Sequence, residues 1–174
     1  MTQVKKTPLH AHAEINTKID PKLMPRRDLL VIGVGNTLRQ DDGVGIYLSK
    51  RLNDFYSPHL KCIEVYGPDI SLAQEMALFK NILIIDALAE KCSKPFTLIP
   101  VKTAGNIIPS GFTSHIFNWG EITAVARDIF GKEPIVELLA VTAHCFGIST
   151  QLTPSCRNNA QDAFQFLIHY CSLQ

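Results

Sequence analysis

One uninterrupted apolar run dominates the first third of the sequence: Leu29-Leu30-Val31-Ile32-Gly33-Val34-Gly35. Apolar and polar residues do not alternate in it, so a strand formed from this run has no face suited to water. Strands buried on both faces are typical of parallel sheets that helices cover on either side. The run therefore predicts a β-strand inside an α/β sheet.

Strand patterns alternate with helix patterns along the rest of the chain. Apolar residues recur at helical spacing, or follow a helix-capping residue, in the segments 43–56, 69–79, 117–130 and 157–171. Strands are predicted at 60–65, 82–85, 96–101 and 135–142, and irregular loops at 102–114 and 143–156. Such alternation predicts a three-layer α/β sandwich, with a mostly parallel central sheet flanked by helices.

The chain is expected to hold one folded domain behind an N-terminal extension. Its 174 residues, 46% of them hydrophobic, suit a single core at 29–174. Residues 1–28 carry scattered charges and three prolines without the apolar core of a signal peptide, and are expected to be mobile. No apolar run approaches the roughly 18 residues of a membrane span, so membrane insertion is not expected.

Charge and cysteine usage exclude several function classes. The chain has 17 basic and 16 acidic side chains and a net charge of +1, which predicts neither nucleic-acid nor membrane-surface binding. Its five cysteines include no C-x-x-C pair, so neither a structural zinc site nor a disulfide framework is expected. Reduced thiols favour a cytoplasmic location.

Acidic residues follow two predicted strands, at the sheet edge where α/β proteins bind ligands. Asp41 and Asp42 follow the first strand, and Asp86 ends the strand at 82–85. A carboxylate in that place costs free energy unless it is solvated, hydrogen-bonded or bound to a cation. We interpret Asp86 as functional. Asp42 is open to two interpretations, a site residue or a helix cap, and Asp41 is expected to cap the following helix.

His115 is the third candidate, because it opens a predicted helix behind Thr113 and Ser114. Either of those hydroxyl residues is suited to cap that helix, which places His115 near the positive end of the helix dipole. The dipole favours the neutral imidazole, the form that binds metal. A purely structural histidine is the alternative interpretation.

Two carboxylates and one imidazole suit a divalent cation such as nickel, zinc or manganese. A metal would activate a water, or one aspartate would act as base for a water. The sequence has no local motif such as H-E-x-x-H, so Asp42, Asp86 and His115 would have to converge from distant loops.

Four motifs together resemble the hydrogenase maturation endopeptidases. A strand ending in G-x-G-N, an apolar residue, an acidic pair and a small-residue helix start occur as Gly33-Val34-Gly35-Asn36-Thr37-Leu38-Arg39-Gln40-Asp41-Asp42-Gly43-Val44-Gly45. The other three are Ile84-Ile85-Asp86-Ala87, Thr113-Ser114-His115 and Leu152-Thr153-Pro154. All four occur in the order of that family, and the resemblance spans residues 29–172.

The resemblance implies a specific activity. Members of the family cleave a C-terminal extension from the large-subunit precursor of a nickel–iron hydrogenase after nickel has been inserted. Their metal-contacting positions correspond to Asp42, Asp86 and His115, supported by Gly33, Gly35, Asn36, Asp41 and Ser114. The nickel belongs to the precursor, so no permanently bound cofactor is expected. The family fold is a three-layer α/β sandwich of the phosphorylase/hydrolase type, and a monomer is the default expectation.

Departures from the family pattern keep two alternatives open. The second strand is followed by Tyr66-Gly67-Pro68-Asp69 rather than Gly-Gly-Thr, and His115 is followed by Ile116-Phe117. A non-catalytic hydrogenase assembly factor is therefore one alternative. A small-ligand-binding α/β module is the other, although Leu38 replaces the third glycine of a dinucleotide-binding motif.

Overall fold

A computed structural model of the 174-residue chain describes residues 27–54, 60–89, 93–103 and 119–172. The strands are β1 (Arg27–Val34), β2 (Leu60–Val65), β3 (Phe79–Leu88), β4 (Phe96–Val101) and β5 (Ile135–Thr142). The helices are α1 (Val44–Asn53), α2 (Leu72–Met76), α3 (Trp119–Phe130) and α4 (Pro154–Ser172). A 3₁₀ turn, Gln40–Gly43, precedes α1.

The described strands form one sheet in the order β2-β1-β3-β5-β4. β1 pairs in parallel with β2 on one side and β3 on the other, and β3 pairs in parallel with β5. β4 is antiparallel to β5 at one edge. The predicted mostly parallel sheet is confirmed.

Separate hydrophobic cores cover the two faces of the sheet. On one face α2 and α3 pack through residues such as Met76, Trp119 and Ile122. On the other face α1 and α4 pack through residues such as Leu48 and Leu167. Alternate residues of β1 point into opposite cores, which explains why its sequence shows no alternation. The predicted three-layer sandwich is confirmed.

Several element boundaries differ from the predictions, most clearly those of α2, β3 and α4. α2 has only five residues, because β3 starts at Phe79 rather than at residue 82. β3 also continues past Asp86 to Leu88. α4 starts at Pro154, because the Thr153 hydroxyl accepts a hydrogen bond from the Cys156 backbone N–H and thereby caps the helix three residues earlier than predicted.

Two other observations bear on the sequence-based expectations. The four described cysteines, Cys62, Cys145, Cys156 and Cys171, are free thiols. Within the described part of the chain, none of the helices has the length and apolar character that crossing a membrane requires.

Candidate active site at the carboxyl edge of the sheet

The order of strands creates a crevice between β1 and β3. From β1 the chain moves outward to β2, and from β2 it crosses to β3 on the other side of β1. Loops that leave the carboxyl ends of two such strands diverge, and ligands of open α/β sheets bind in the opening between them. Asp42 follows β1, and Asp86 is the third residue from the carboxyl end of β3. Both predicted acidic residues therefore lie at this crevice.

Glycines allow helix α1 to begin directly on the strand ends. A Cβ atom at Gly45 would overlap the backbone carbonyl oxygens of Ile85 and Val34. Gly35 has φ +133°, and a Cβ there would overlap the carbonyl oxygen of Asp42. The Asp42 backbone is therefore held against the end of β1, while the first turn of α1 lies across β1 and β3.

Asp42 is half-buried and is fixed by its own loop. Its Oδ2 accepts a 2.9 Å hydrogen bond from the Asn36 backbone N–H. The Asn36 side chain in turn accepts a 2.9 Å bond from the Leu38 N–H. These two bonds turn the loop after β1 back on itself and fix the position of the Asp42 carboxylate.

Asp86 is a buried carboxylate that lacks part of its hydrogen bonding. Only 3% of the residue is exposed. Its Oδ1 accepts a 2.7 Å bond from the Ala87 N–H, whereas the buried Oδ2 has no hydrogen-bond partner among the described residues. Burial raises the pKa of Asp86 to about 7, against the opposing effect of the Ala87 bond, and the charge of Asp42 raises it further. The two carboxylates are thus close enough to repel each other, an arrangement that a proton or a cation relieves.

Asp41 does not cap helix α1, contrary to the prediction, since α1 has no side-chain cap. Asp41 is fully buried, and its side chain points toward the loop after β5. Its Oδ2 accepts bonds from the N–H groups of His144 (3.2 Å) and Cys145 (3.1 Å) and from the Thr153 hydroxyl (2.9 Å), and its Oδ1 accepts one from the Thr153 N–H (2.7 Å). Burial opposes ionisation, but these bonds outweigh it and lower the pKa of Asp41.

Asp41 is one part of a wider contact between the loop after β1 and the loop after β5. Gln40 donates its backbone N–H to the Ser149 carbonyl at 2.8 Å, and its side-chain oxygen accepts from the Gly147 N–H at 3.3 Å. Ser149 donates to the Leu38 carbonyl at 3.0 Å. Gln40 has φ +51°, a conformation that these contacts stabilise. The two loops therefore form one hydrogen-bonded wall beside the crevice.

Comparison with solved structures identifies this architecture. The hydrogenase maturating endopeptidase HybD from E. coli superposes with a TM-score of 0.67 and 19% sequence identity, over 82% of this chain and 91% of that one. The NiFe hydrogenase maturation protease HybD from Thermococcus kodakarensis gives 0.63 and 18%, over 82% and 98%. The hydrogenase 2 maturation peptidase from Thaumarchaeota archaeon SCGC_AB-539-E09 gives 0.61 and 18%, over 85% and 100%.

The chain has the fold of the hydrogenase maturation proteases. No protein-family model matches the sequence. The curated proteins contain no match either. At these identities the structural likeness establishes the hydrogenase maturation protease fold alone.

The predicted histidine lies outside the described residues of this hydrogenase maturation protease fold, as does Ser114. Within the described ranges, no group of three or more His, Cys, Asp or Glu side chains is placed to hold a metal ion. Of the three predicted metal-contacting residues, the structure therefore describes Asp42 and Asp86. The convergence of His115 with them stays a prediction.

Sequence reasoning assigned no structural role to two residues of its motifs that shape the crevice. Gly45 allows α1 to approach the strands, and a glycine at the start of a helical pattern was the available signal. Thr153 joins Asp41 to the start of α4. Its signal was the Thr-Pro pair that commonly opens a helix, but nothing local indicated Asp41 as its partner.

Proposed function

We propose that the chain is a hydrogenase maturation endopeptidase, which removes a C-terminal extension from a nickel-loaded large-subunit precursor. One observation carries the proposal: in a fold shared with such proteases, Asp86 presents beside Asp42 a buried carboxylate oxygen that no described residue hydrogen-bonds. A pair of this kind is suited to contact a cation that arrives with the substrate.

In this proposal Asp42, Asp86 and His115 contact the nickel of the bound precursor. Carboxylate and imidazole groups are suitable ligands for nickel. The positive charge would favour the ionised form of Asp86, and would offset both its burial and the repulsion from Asp42. The protease would thereby recognise a loaded precursor, because only a loaded precursor supplies the cation.

The chemistry would be hydrolysis of one peptide bond. A water oxygen attacks the scissile carbonyl carbon, its proton passes to a base, and the leaving amine takes up a proton as the C–N bond breaks. Two candidates for activating the water are a carboxylate of the pair and the precursor's own nickel. Neither residue is assigned as the base.

The test is to incubate the protein with its cognate large-subunit precursor, once nickel-loaded and once nickel-free, and follow the intact mass. We expect loss of a C-terminal peptide from the loaded precursor only. Asp42→Asn and Asp86→Asn should each abolish this loss, whereas Asp162→Asn, an exposed aspartate of α4, should cleave as the wild type does. Normal cleavage by Asp86→Asn would contradict the assignment.

The same experiment decides between the protease and an assembly factor. The second candidate is motivated by Gly67-Pro68, where the loop after β2 departs from the Gly-Gly-Thr pattern of the family. This loop leaves β2 beside β1, which is one of the two strands of the crevice. Stable binding of a demonstrably loaded precursor by the wild type, with no change in mass, would favour the assembly factor.

A nucleotide-binding module is poorly supported by the same loop. In such modules the backbone N–H groups after the first strand are free to bind phosphate. Here the Asn36 N–H is bonded to the Asp42 carboxylate, whose charge also repels phosphate. We expect no nucleotide binding in a calorimetric titration.

A further inference from the structure

Three adjoining cavities form one groove beside the crevice. Cavities of about 150 Å³ and about 210 Å³ share the lining residues Thr37, Ile46 and Lys50. The second of these and a third, of about 480 Å³, share Val65 and Tyr66. We call the three together the β2 groove, because it runs from the loop after β1 past the carboxyl end of β2 to the start of α2.

The β2 groove begins at the proposed catalytic loop. Thr37, Gln40 and Gly43 line its first cavity, and all three belong to the segment that holds Asp42. Its far end lies at Asp69, Ser71 and Leu72. A chain lying in the groove would therefore lead to the loop that holds Asp42.

The lining of the groove favours a partly apolar occupant. Lys50 is the one cationic side chain among the described lining residues, and it forms an ion pair with Glu64 at 3.4 Å. The Asp69 carboxylate accepts a 2.8 Å bond from the Ser71 N–H, and the Ser71 hydroxyl and N–H both lower the pKa of Asp69. The opposite charges of Lys50 and Glu64 therefore offset each other in the middle of the groove, whereas Asp69 stays ionised at its far end.

Exposed apolar side chains border the groove. Tyr66 is 78% exposed and lines two of the three cavities. Ile70, between the lining residues Asp69 and Ser71, is 60% exposed. Large apolar side chains grouped along a groove are typical of surfaces that bind another chain.

We propose that the β2 groove binds the precursor segment next to the scissile bond, as an extended and partly apolar peptide. This inference rests on the proposed function, because an endopeptidase must hold several residues on at least one side of the bond that it cuts. A groove that is continuous with the Asp42 loop and bordered by exposed apolar side chains meets that requirement. Specificity for the precursor sequence would then depend on Tyr66 and on the loop at Gly67-Pro68.

The first test fills the groove. Ser71→Trp places an indole in the largest of the three cavities, while Asp162→Trp places an indole on the exposed face of α4, outside the groove. We expect the KM for the nickel-loaded precursor to rise about tenfold or more in Ser71→Trp with kcat nearly unchanged, since only ground-state binding is lost. Asp162→Trp should match the wild type, and an equal KM in Ser71→Trp would overturn the proposal.

The second test removes a contact. Tyr66→Ser should raise KM by roughly five- to twentyfold, the range expected for loss of an aromatic anchor. Ile129→Ser is the matched control, because Ile129 is 62% exposed in the last turn of α3, at the opposite edge of the sheet. An equal effect of Tyr66→Ser and Ile129→Ser would overturn the proposal. Thermal melts of each variant show whether it is folded.

A binding test separates this inference from the proposed function. A synthetic peptide of about twelve residues spanning the processing site should shift the amide resonances of Val65, Tyr66 and Leu72, but not that of Ile129. Shifts confined to other surfaces, or groove-dependent self-association in sedimentation, would overturn the groove while cleavage by the wild type still supports the protease. Groove binding without any cleavage of loaded precursor would contradict the protease and leave the peptide site standing.

Discussion

The Asp86 carboxyl lies where an ionised group is costly, because it is buried, has one oxygen without a partner in the described part of the chain, and faces the charge of Asp42. Its pKa of about 7 therefore makes the free energy of unfolding depend on pH. Below about pH 4 the carboxyl is protonated in both the folded and the unfolded chain, so it contributes no difference. Between about pH 4 and pH 7 the unfolded chain is ionised while the folded chain keeps its proton.

We predict that Asp86→Asn stabilises the protein at alkaline pH. For the wild type, the raised pKa reduces the free energy of unfolding by about 1.4 kcal/mol per pH unit across that window. The substitution removes this slope, so its stabilising effect should be near zero at pH 4 and on the order of a few kcal/mol at pH 8. Urea unfolding at both pH values measures the difference. A difference independent of pH would show that Asp86 has no raised pKa.

Asp41 should behave in the opposite way. Its carboxylate accepts four hydrogen bonds, which lower its pKa, so the stability it contributes is present above its unfolded pKa and is lost as the pH falls through its folded pKa. Asp41→Asn presents an NH₂ group to backbone N–H donors. It should therefore lower the free energy of unfolding by about 2–4 kcal/mol at pH 7. Calorimetric unfolding measures this cost.

Hydrogen exchange identifies the cause of that loss. In Asp41→Asn the amides of His144, Cys145 and Thr153 should exchange faster, because they lose their acceptor. Asp162→Asn is the control, as an exposed aspartate of α4. Unchanged exchange at these three amides would mean that Asp41 does not fix the wall beside the crevice.

The two aspartates also show what sequence reasoning can and cannot reach at this scale. Asp86 was predicted to lie at the sheet edge because it follows an apolar run, a local pattern that fixes its place along the strand. The role of Asp41 was predicted wrongly, because its partners His144, Cys145 and Thr153 lie more than a hundred positions along the chain. No local pattern indicates a contact of that separation.

At the scale of elements, the approach of α1 to the sheet depends on Gly45. A methyl group there would overlap the carbonyl oxygens of Val34 and Ile85, which are backbone atoms of two central strands and have no freedom to move aside. We predict that Gly45→Ala destabilises the protein by about 2 kcal/mol or more and displaces Asp42 from Asp86. Chemical denaturation gives the stability, and the precursor assay gives the activity.

Gly147→Ala is the matched control for that substitution. A Cβ at Gly147 would meet only the flexible end of the Gln40 side chain, at 3.2 Å. The control should lose little stability and should still process the precursor. If Gly45→Ala is as stable and active as Gly147→Ala, the close approach of α1 does not position the site.

Strands and helices were predictable to different degrees. β2, β4 and β5 have the predicted bounds, because each is a short apolar run between polar or turn residues. The helix predicted at 69–79 shrank to Leu72–Met76, because Phe79, fully buried, serves as the first residue of β3. Helical spacing alone does not tell whether a terminal apolar residue belongs to the helix or to the strand that follows it.

At the scale of the whole molecule, the layers were predictable but the strand order was not. Alternating strands and helices predict parallel pairing, yet they do not say on which side of β1 each crossover places the next strand. β4 runs antiparallel because residues 89–95 are too few for the crossover that a parallel strand needs, so β4 enters the sheet from the carboxyl edge. The short length of this connection can be read from the sequence, where it was an available signal for the antiparallel direction of β4.

The proposed division of the site between two proteins leads to a prediction about where nickel stays. The protease would offer Asp42, Asp86 and His115, while the precursor holds the metal through its own ligands. Free protease should therefore bind nickel weakly in a calorimetric titration, and Asp42→Asn should weaken the binding further. After cleavage of the loaded precursor, elemental analysis should find nickel in the processed large subunit and none in the recovered protease. Stoichiometric nickel on the recovered protease would mean that the metal is transferred or resident, and that these residues form a metal site of their own rather than a reader of the precursor's metal.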